Sequence, residues 1–192
     1  MNKTALNTVK ESEPCSDDLQ IVRQVLTGDT PLFGHLVDRH KKRVYGIVSG
    51  MIDSQDEVDD LVQDIFIAAF KAIGRFRGDS KFSTWLHAIA VNTTLRHIQK
   101  MKRRRVFSLD NGGYQFLTGR DAWAHESAER GREIRSAVKS LPDKQRMVVV
   151  LHYFEGLSCP EIAETLGCSV GTVWSRLHYA CKVLKVRLES GA

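Results

Sequence analysis

The sequence predicts an all-α protein made of two small helical domains joined by a flexible linker. Apolar residues recur at helical spacing along most of the chain, and no stretch shows the alternating pattern of a strand. That periodicity is lost between residues 106 and 125, where Gly112, Gly113 and Gly119 supply turn signals. The chain has 192 residues, 42% of them hydrophobic, which is enough for two small cores.

These observations divide the chain into four parts. Residues 1–16 are polar, and we expect them to form a disordered tail. Residues 17–105 form the first domain, residues 106–125 the linker, and residues 126–192 the second domain. Two modules joined in this way can bind separated sites, because the second module binds at a high effective concentration once the first is held.

Two helices open the first domain. Asp17 or Asp18 caps the first helix, which ends before Gly28. Pro31 opens the second helix, because proline is well tolerated at the first position of a helix. The second helix is expected to turn the following residues toward a core: Leu32, Phe33, Leu36, Val37, Val44, Ile47 and Val48.

The third predicted helix, residues 56–70, has one apolar side and one acidic side. The positive end of the helix dipole favours acids in the first turns, which explains part of their crowding. A solvated charged face is the simplest interpretation, and a surface for a partner is the alternative. The apolar side consists of Val58, Leu61, Val62, Ile65, Ala69 and Phe70, and the acidic side of Asp56, Asp59, Asp60, Gln63 and Asp64.

A glycine-containing loop at residues 76–85 leads into a fourth helix at residues 86–101, which ends in dense positive charge. Such a charge needs an external counter-charge, and phosphate is the common one. Neighbouring aromatic rings can stack on unpaired bases, so opened DNA is a candidate ligand, although burial is the favoured interpretation for Phe82 and Trp85 individually. The basic residues are Arg96, Lys100, Lys102, Arg103, Arg104 and Arg105.

The second domain has the caps and the turn of a helix-turn-helix at residues 157–177. Ser158 and Glu161 form a capping box at the start of one helix, and Gly167 supplies a left-handed cap at its end. Ser169 caps a second helix. We predict an inward stripe of Val170, Val173, Leu177, Cys181 and Leu184, and an outward face of Gly171, Thr172, Ser175, Arg176, Tyr179, Lys182 and Lys185.

The outward face of this second helix suits the major groove of DNA, where the amino-terminal part of a recognition helix inserts. Arg176 can contact guanine bidentately, while Thr172 and Ser175 can contact phosphates or base edges. A helical packing motif that does not bind DNA is the alternative. For Trp174, inward packing and DNA contact both remain open.

Composition and charge narrow the class of protein. A formal net charge of +5 favours polyanionic partners. The longest apolar run, residues 65–70, is far shorter than the roughly 20 residues of a membrane span, so no membrane insertion is expected. The amino terminus lacks the apolar block of a secretory signal, which predicts a cytoplasmic protein with reduced cysteines.

The cysteines do not have the spacing of a zinc site, so we expect structural thiols and no bound metal. The alternative is a metal or redox sensor in which Cys181 joins His178 and His152. The four cysteines are Cys15, Cys159, Cys168 and Cys181.

Three stretches of the first domain resemble region 2 of bacterial RNA polymerase sigma factors of the extracytoplasmic function (ECF, group 4) type. They are DEVDDLVQDIF at residues 56–66, FRGDSKFSTWL at residues 76–86 and AVNT at residues 90–93. Residues 141–176 resemble sigma region 4. The resemblance implies a region 2 bundle and a region 4 helix-turn-helix in a protein that is not an enzyme and needs no cofactor. Such a protein binds core RNA polymerase, directs it to a promoter with minus-35 and minus-10 elements, and helps to melt the DNA.

The resemblance also implies which residues make these contacts. In the family, the acidic helix docks on the clamp helices of the polymerase beta-prime subunit, which here implies Asp56, Asp60, Gln63 and Asp64. The following loop and helix engage the minus-10 element, which implies Phe76, Arg77, Gly78, Asp79, Ser80, Lys81, Phe82, Asn92, Arg96, Lys100 and Arg103. Region 4 touches the beta flap and contacts the minus-35 element, which implies Ser169, Thr172, Ser175, Arg176 and Tyr179.

Melting in this family resembles base flipping, in which a nucleotide leaves the stack and enters a protein pocket. Housekeeping sigma factors wedge the duplex open with a tryptophan pair, whereas the corresponding residues here are Ala88 and Ile89. We therefore expect strand opening to depend more on a well-matched promoter. The resemblance further implies an anti-sigma factor as a partner, often a membrane-bound one in this family.

Two functions of other classes compete with this interpretation. A freestanding helix-turn-helix regulator fits the second domain, but it leaves the acidic helix and the basic loop unexplained. A nucleic-acid enzyme could use the acidic helix as a magnesium site, but the helix has no phosphate-binding loop beside it. The acids of that alternative are Asp56, Asp59, Asp60 and Asp64.

Overall fold

The computed structural model describes residues 14–108 and 128–190. The regular elements within these two ranges are all helical, which confirms the predicted fold class. The α-helices are α1 (Pro14–Leu26), α2 (Phe33–Ser49), α3 (Gln55–Ala72), α4 (Phe82–Ser108), α5 (Ala128–Lys139), α6 (Asp143–Val149), α7 (Cys159–Leu166) and α8 (Val170–Ser190). Short 3₁₀ turns at Thr30–Leu32 and Ile73–Arg75 flank α2 and α3, and a π-helical segment, Val150–Phe154, follows α6.

Helix α1 begins at Pro14, so the predicted caps at Asp17 and Asp18 are wrong. Both aspartates instead bond to α2. Arg39 pairs with the two carboxylates, and the buried Asp18 carboxylate also accepts a hydrogen bond from His40 Nε2 at 2.8 Å. Because α1 begins three residues before Asp17, neither side chain is needed as a cap, and both can bond to α2.

Two predicted boundaries move as a result of these helix lengths. Residues 14–16 belong to α1 rather than to the tail, and residues 106–108 belong to α4 rather than to the linker. The remainder of the predicted tail, 1–13, and of the predicted linker, 109–125, lies outside the described residues.

Helices α2, α3 and α4 pack together through their apolar sides and form the core of the first domain. On α3, Phe66 is buried although the predicted stripe omitted it. Phe70, predicted to face the core, is 41% exposed, and its ring makes an edge-to-face contact with Phe33 in which the two ring centroids are 5.1 Å apart. Ser54 caps α3, since its hydroxyl accepts a hydrogen bond from the Glu57 amide at 3.4 Å.

The second domain contains the predicted capping box and left-handed glycine. Ser158 Oγ accepts from the Glu161 amide at 3.4 Å, and the Glu161 carboxylate accepts from the Ser158 amide at 2.9 Å. Gly167 follows with φ of 60°, a conformation that favours glycine. The turn between α7 and α8 is therefore determined by local hydrogen bonding, as the sequence predicted.

The inward stripe of α8 differs from the prediction at two positions. Val173, Leu177 and Ala180 are buried, whereas Val170 and Cys181 are exposed. Residues seven apart on a helix lie on nearly the same side, so Ala180 lies on the buried side with Val173. The neighbouring Cys181 is turned by about 100° from Ala180 and therefore faces solvent.

The two domains pack against each other in this structure. Helix α4 contacts α7, and α2 contacts the π-helical segment. The buried apolar residues of both domains form one continuous cluster. None of the helices in the two described ranges is both long enough and apolar enough to cross a lipid bilayer.

His87 is buried where α2, α4 and α7 meet. Its Nε2 atom is buried and has no hydrogen-bond partner within the described residues. The pKa of His87 is lowered from 6.5 to about 4, mainly by desolvation and then by the nearby Arg43 and His40, whereas Glu161 acts in the opposite direction. The folded protein therefore holds this imidazole neutral.

We predict that His87 makes the fold sensitive to mild acid. The unfolded chain takes up a proton near pH 6.5 and the folded chain only near pH 4, so stability is full above pH 6.5 and falls as the pH drops toward 4. Between pH 7.5 and 5.0 this loss amounts to about 2 kcal/mol from the two pKa values. Urea unfolding at both pH values should show a smaller loss for His87→Leu. The exposed His35→Leu is the control, and an equal loss in all three proteins would contradict the prediction.

Candidate functional site

The predicted acidic surface lies on one side of α3. Asp56, Asp60, Gln63 and Asp64 are exposed, and their spacing of four, three and one residues puts them on the same side of the helix. We call these four residues the acidic face. Asp59 lies beside it and accepts hydrogen bonds from Gln55 Nε2 at 3.3 Å.

The carboxylates of the acidic face are not neutralised by the fold. In the part of the chain that the structure describes, no basic side chain lies within ion-pair distance of Asp56, Asp60 or Asp64. Three uncompensated negative charges on one helix attract a basic partner.

An exposed apolar side chain lies within the acidic face. Ile67 is 43% exposed and follows Asp60 by seven residues, which is two helical turns, so it lies on the same side of α3. The partly exposed Phe70 borders it. The sequence analysis assigned Ile67 to neither side, although its spacing from Asp60 was a usable signal. An exposed apolar residue next to charged ones is typical of a protein interface.

The predicted minus-10 loop is held by an aromatic cluster. The rings of Phe76, Phe82 and Trp85 pack with centroids 5.4 to 5.6 Å apart, and His40 packs on Phe82 at 5.4 Å. Phe82 is buried and Trp85 is half-buried, as the burial alternative for these two residues proposed. Phe82 therefore supports the loop and has no surface to offer to a base in this arrangement.

The remaining loop residues face outward to different degrees. Arg77, Asp79 and Lys81 are exposed, and Ser80 is half-buried. Gly78 has φ of 80°, a conformation that residues with a Cβ atom rarely adopt, so the loop depends on glycine there. The loop thus presents two cations and one carboxylate to solvent, and the aromatic cluster packs beneath it.

The basic side of α4 continues from this loop. Asn92, Arg96, Lys100 and Arg103 are exposed and follow one another at intervals of four, four and three residues, so they form one row along the helix. An open groove of about 370 Å³ runs along this row and is lined by Arg96, Gln99, Lys100, Arg103 and Arg104. A groove with four cations suits a phosphate backbone.

The residues predicted to bind the minus-35 element occupy one arc of α8. Ser169 Oγ accepts from the Thr172 amide at 3.1 Å and pairs with the Thr172 hydroxyl at 2.9 Å, which fixes the start of the helix. Ser175 and Tyr179 are exposed. Arg176 is half-buried, because its Nη1 atom lies 4.0 Å from a neighbouring cysteine sulfur in the turn.

Trp174 lies on the other side of α8 from Arg176, because residues two apart on a helix point in nearly opposite directions. Its side chain is 62% exposed, so the alternative of inward packing is wrong. The exposed indole is therefore available to a partner.

The cysteines and histidines of the second domain are dispersed. Cys159 is buried, Cys168 is half-buried beside Arg176, and Cys181 is exposed with its sulfur 3.5 Å from the Tyr153 hydroxyl. This contact with Cys181 raises the pKa of Tyr153. His152 Nδ1 donates to a backbone carbonyl at 2.8 Å. Over residues 14–108 and 128–190, no three His, Cys, Asp or Glu side chains are grouped as a metal site.

Two family models match the chain. Sigma-70 region 2 matches residues 36–105, and Sigma-70, region 4 matches residues 131–184. The chain is 34% identical over 181 residues to the RNA polymerase sigma-H factor of Pseudomonas aeruginosa, covering 90% of this chain and 94% of the relative. It is 35% identical over 177 residues to the ECF RNA polymerase sigma factor SigW of Bacillus subtilis, covering 88% and 95%. The ECF RNA polymerase sigma-E factor of Escherichia coli strain K12 is 35% identical over 187 residues, covering 93% and 97%.

Two solved structures have a fold similar to that of this chain. The structure of CnrH in complex with the cytosolic domain of CnrY matches with a TM-score of 0.68 and 28% identity, covering 91% of this chain and 99% of that one. The sigma factor RpoE in complex with the anti-sigma factor NepR from Bartonella quintana matches with a TM-score of 0.68 and 22% identity, covering 82% and 96%.

Proposed function

The chain belongs to the sigma-70 family of RNA polymerase sigma factors, in its ECF group, and from this premise we propose which surfaces make the contacts of transcription initiation. As a sigma factor it binds core RNA polymerase, recognises minus-35 and minus-10 promoter elements and promotes melting, and it catalyses no reaction itself. We assign core binding to the acidic face, minus-10 recognition to the loop and the basic side of α4, and minus-35 recognition to α8. We also propose domain limits at 14–108, which follow the ends of α1 and α4, and at 126–192.

Core binding by the acidic face accounts for its uncompensated charge. The carboxylates of Asp60 and Asp64 meet basic residues of the beta-prime clamp helices, and Ile67 supplies the apolar centre of the contact. Asp56 and Gln63 extend the same face. The combination of exposed acids with the exposed Ile67 and Phe70 on one helix is the observation that carries this assignment, because neighbouring apolar side chains beside unpaired charges are typical of a protein interface.

Minus-10 recognition uses the loop and the row on α4 in different ways. The row of Asn92, Arg96, Lys100 and Arg103 follows the phosphate backbone, and Asn92 is the neutral residue that suits a base edge. The exposed loop residues Arg77, Gly78, Asp79 and Lys81, with half-buried Ser80, surround a flipped base, while Phe76, Phe82 and Trp85 hold the loop in shape.

Minus-35 recognition uses the amino-terminal part of α8. Arg176 leaves its contact with Cys168 and forms the bidentate contact with guanine, while Ser175 and Tyr179 contact the neighbouring backbone or bases. Ser169 and Thr172 position the helix through the cap. The second domain also meets the beta flap of the polymerase.

An anti-sigma factor controls this protein in our proposal. Both matched structures are complexes: the sigma factor RpoE is bound to the anti-sigma factor NepR, and CnrH is bound to the cytosolic domain of CnrY. A cytosolic domain as partner fits an inhibitor anchored in the membrane. Because the protein acts on polymerase and promoter DNA, we place it in the cytoplasm.

Reconstituted transcription is the direct test of the function. Purified chain is added to core polymerase that lacks a sigma factor, on templates carrying candidate promoters, and start sites are mapped. Start-site selection that depends on the added chain is the expected result. A chain that binds DNA but selects no start site would instead be a freestanding regulator.

We predict that reversing the charge of the acidic face weakens core binding. Asp60→Lys combined with Asp64→Lys should lower the affinity for core polymerase by about 2 kcal/mol or more, which is at least about 30-fold, because attraction is replaced by repulsion. Competition against a reference sigma factor measures the effect. Asp29→Lys with Asp38→Lys makes the same charge change at exposed sites outside α3, and an equal loss in this control would refute the assignment.

We predict that Ile67 contributes to core binding independently of charge. Ile67→Ser should weaken the affinity for core polymerase by about 1 to 2 kcal/mol, since an interface contact of this size is lost. The loss should not change between low and high salt, which distinguishes it from the loss in the charge-reversal variant. If Ile67→Ser competes for core polymerase as well as wild type does, Ile67 does not lie in the interface.

We predict that Arg176→Ala weakens minus-35 recognition by about 1 to 3 kcal/mol and relaxes the preference at one base pair. Duplexes with each base pair varied in turn, bound by the chain together with core polymerase, measure both effects. Arg187→Ala, which removes an exposed cation near the end of the same helix, should leave the base preference unchanged. Unaltered preference in Arg176→Ala would show that this arginine reads no base.

A further inference from the structure

Helix α1 is connected to the proposed minus-10 loop by a chain of buried side chains. The chain of contacts begins at Asp18, which is 6% exposed and whose carboxylate accepts a hydrogen bond from His40 Nε2 at 2.8 Å. The His40 ring is also buried, and it packs on Phe82 with 5.4 Å between the ring centroids. Phe82 is the first residue of α4, so these contacts reach the residue at which the loop ends.

Phe82 in turn joins the two ends of the loop. Phe76 lies at the start of the loop, and its ring meets the Phe82 ring edge to face with 5.6 Å between the centroids. Trp85 packs on both rings, with centroids 5.4 Å from Phe76 and 5.5 Å from Phe82. The position of the Phe82 ring therefore determines where both ends of the loop lie.

A second contact between α1 and the loop is direct. A Cβ atom added at Gly78 would lie 3.3 Å from Leu19 Cδ1, so the Leu19 side chain lies against the middle of the loop. Leu19 follows Asp18 in α1. Two adjacent residues of α1 thus act on the loop, one by touching it and the other through His40 and the aromatic cluster.

The polar character of the first contact matters for its effect. Burial of a carboxylate is costly unless hydrogen bonds compensate it, and Asp18 bonds to both Arg39 and His40. Apolar packing alone would also hold α1 on α2, but it would not fix the angle of the ring at position 40. The hydrogen bond from Nε2 fixes that angle, and supporting bonds of this kind hold a binding site in its working geometry.

The position of α1 in the sequence sets its residues apart from those assigned so far. Helix α1 ends at Leu26, before the region 2 match, which begins at residue 36. Asp18 and His40 are both buried, so neither side chain can touch DNA in this arrangement. Any effect of these two residues on promoter recognition must therefore act through the loop.

We propose that α1 supports the minus-10 loop, with Asp18 and His40 as positioning residues for the Phe82 ring and with Leu19 as the residue that holds Gly78 in place. The consequence for minus-10 recognition rests on the proposed function, whereas the support of the loop does not.

Proteolysis of the free protein tests the support of the loop. Trypsin cleaves after lysine and arginine where the chain opens locally, and the loop contains the exposed Arg77 and Lys81. His40→Phe keeps an aromatic ring and removes the hydrogen bond to the carboxylate. Cleavage at the two loop sites, measured by mass spectrometry relative to cleavage at Arg187, should be about fivefold faster in this variant, because the loss of one ordinary hydrogen bond shifts an equilibrium by about that factor.

Leu19→Ala tests the direct contact in the same assay without changing a polar group. It should also speed relative cleavage at the two loop sites, since the side chain against Gly78 is shortened. Unchanged relative cleavage in both His40→Phe and Leu19→Ala would overturn the proposal.

Val58→Ala is the matched control for a general loss of stability. Val58 is 2% exposed in α3, and the adjacent Glu57 bonds to His97, which lies far along α4 from the loop. Urea unfolding should show that Val58→Ala destabilises the protein, because it removes buried methyl groups. Relative cleavage at the loop sites should stay unchanged. Loop cleavage that follows stability alone in all the variants would show that α1 is only part of the core and would overturn the proposal.

Promoter opening by holoenzyme tests the consequence for minus-10 recognition. The template is a promoter found by mapping start sites, with the fluorescent adenine analogue 2-aminopurine in the minus-10 element, where it brightens on leaving the stack. Holoenzyme containing His40→Phe should open this element about fivefold less than wild type, since the loop no longer holds the flipped base in one geometry. Affinities for core polymerase and for a duplex with the minus-35 element alone should stay within about twofold, because those surfaces lie elsewhere.

The outcomes distinguish this proposal from the proposed function. Faster loop cleavage with unchanged opening would overturn the role of Asp18 and His40 as positioning residues for minus-10 recognition. An equal loss of opening, core binding and minus-35 binding would also overturn it, since that is the effect of a merely structural residue. If wild-type holoenzyme selects no start site, the proposed function is refuted, and the cleavage of the free protein still decides whether α1 supports the loop.

Discussion

The packing of α3 against α4 is the constraint on which the functional surfaces depend. Both helices turn apolar side chains toward the shared core, including Ile65 on α3 and Leu86 on α4. Because each helix has one buried side, its charged residues are forced outward, acids on α3 and bases on α4. A hydrogen bond between His97 Nε2 and the Glu57 carboxylate, with 3.4 Å between the two atoms, joins the two helices. One hydrophobic contact thus separates the acidic face of α3 from the basic side of α4, the two surfaces that we propose for polymerase and for DNA, and neither charge neutralises the other.

Much of this arrangement could be predicted from the sequence because local chemistry determines it. The helical class, the capping box at Ser158 and the left-handed Gly167 all follow from short-range rules, and the structure contains them. Phe82 is buried, as the burial interpretation of the loop aromatics predicted, since it is large, apolar and next to a helix start, whereas its assignment as a minus-10 contact stays a prediction. Short-range rules also placed the outward acids and bases on helix faces.

The rest depended on contacts between distant parts of the chain. Aspartate is a common helix cap, yet Asp17 and Asp18 do not cap α1. Their carboxylates instead bond to the Arg39 and His40 side chains of α2. The predicted inward stripe of α8 was wrong at Cys181. Which of the adjacent residues 180 and 181 is buried depends on where the neighbouring helices lie, and the local sequence does not show that. Nothing in the local pattern around Gly46 indicated that Glu155, more than one hundred residues later, would lie against it.

The length of α4 has a consequence for how this protein can vary. Its 27 residues form one uninterrupted rod of about 40 Å, with the aromatic support of the loop at one end and the basic groove toward the other. Each residue advances the helix by about 100°, so adding or removing a single residue between Asn92 and Lys100 would rotate the groove to a different side of the molecule. Substitutions along this rod adjust the strength of individual contacts, whereas insertions and deletions change their angular phase. Functional descendants of this chain should therefore differ in the composition of α4 but keep its residue count.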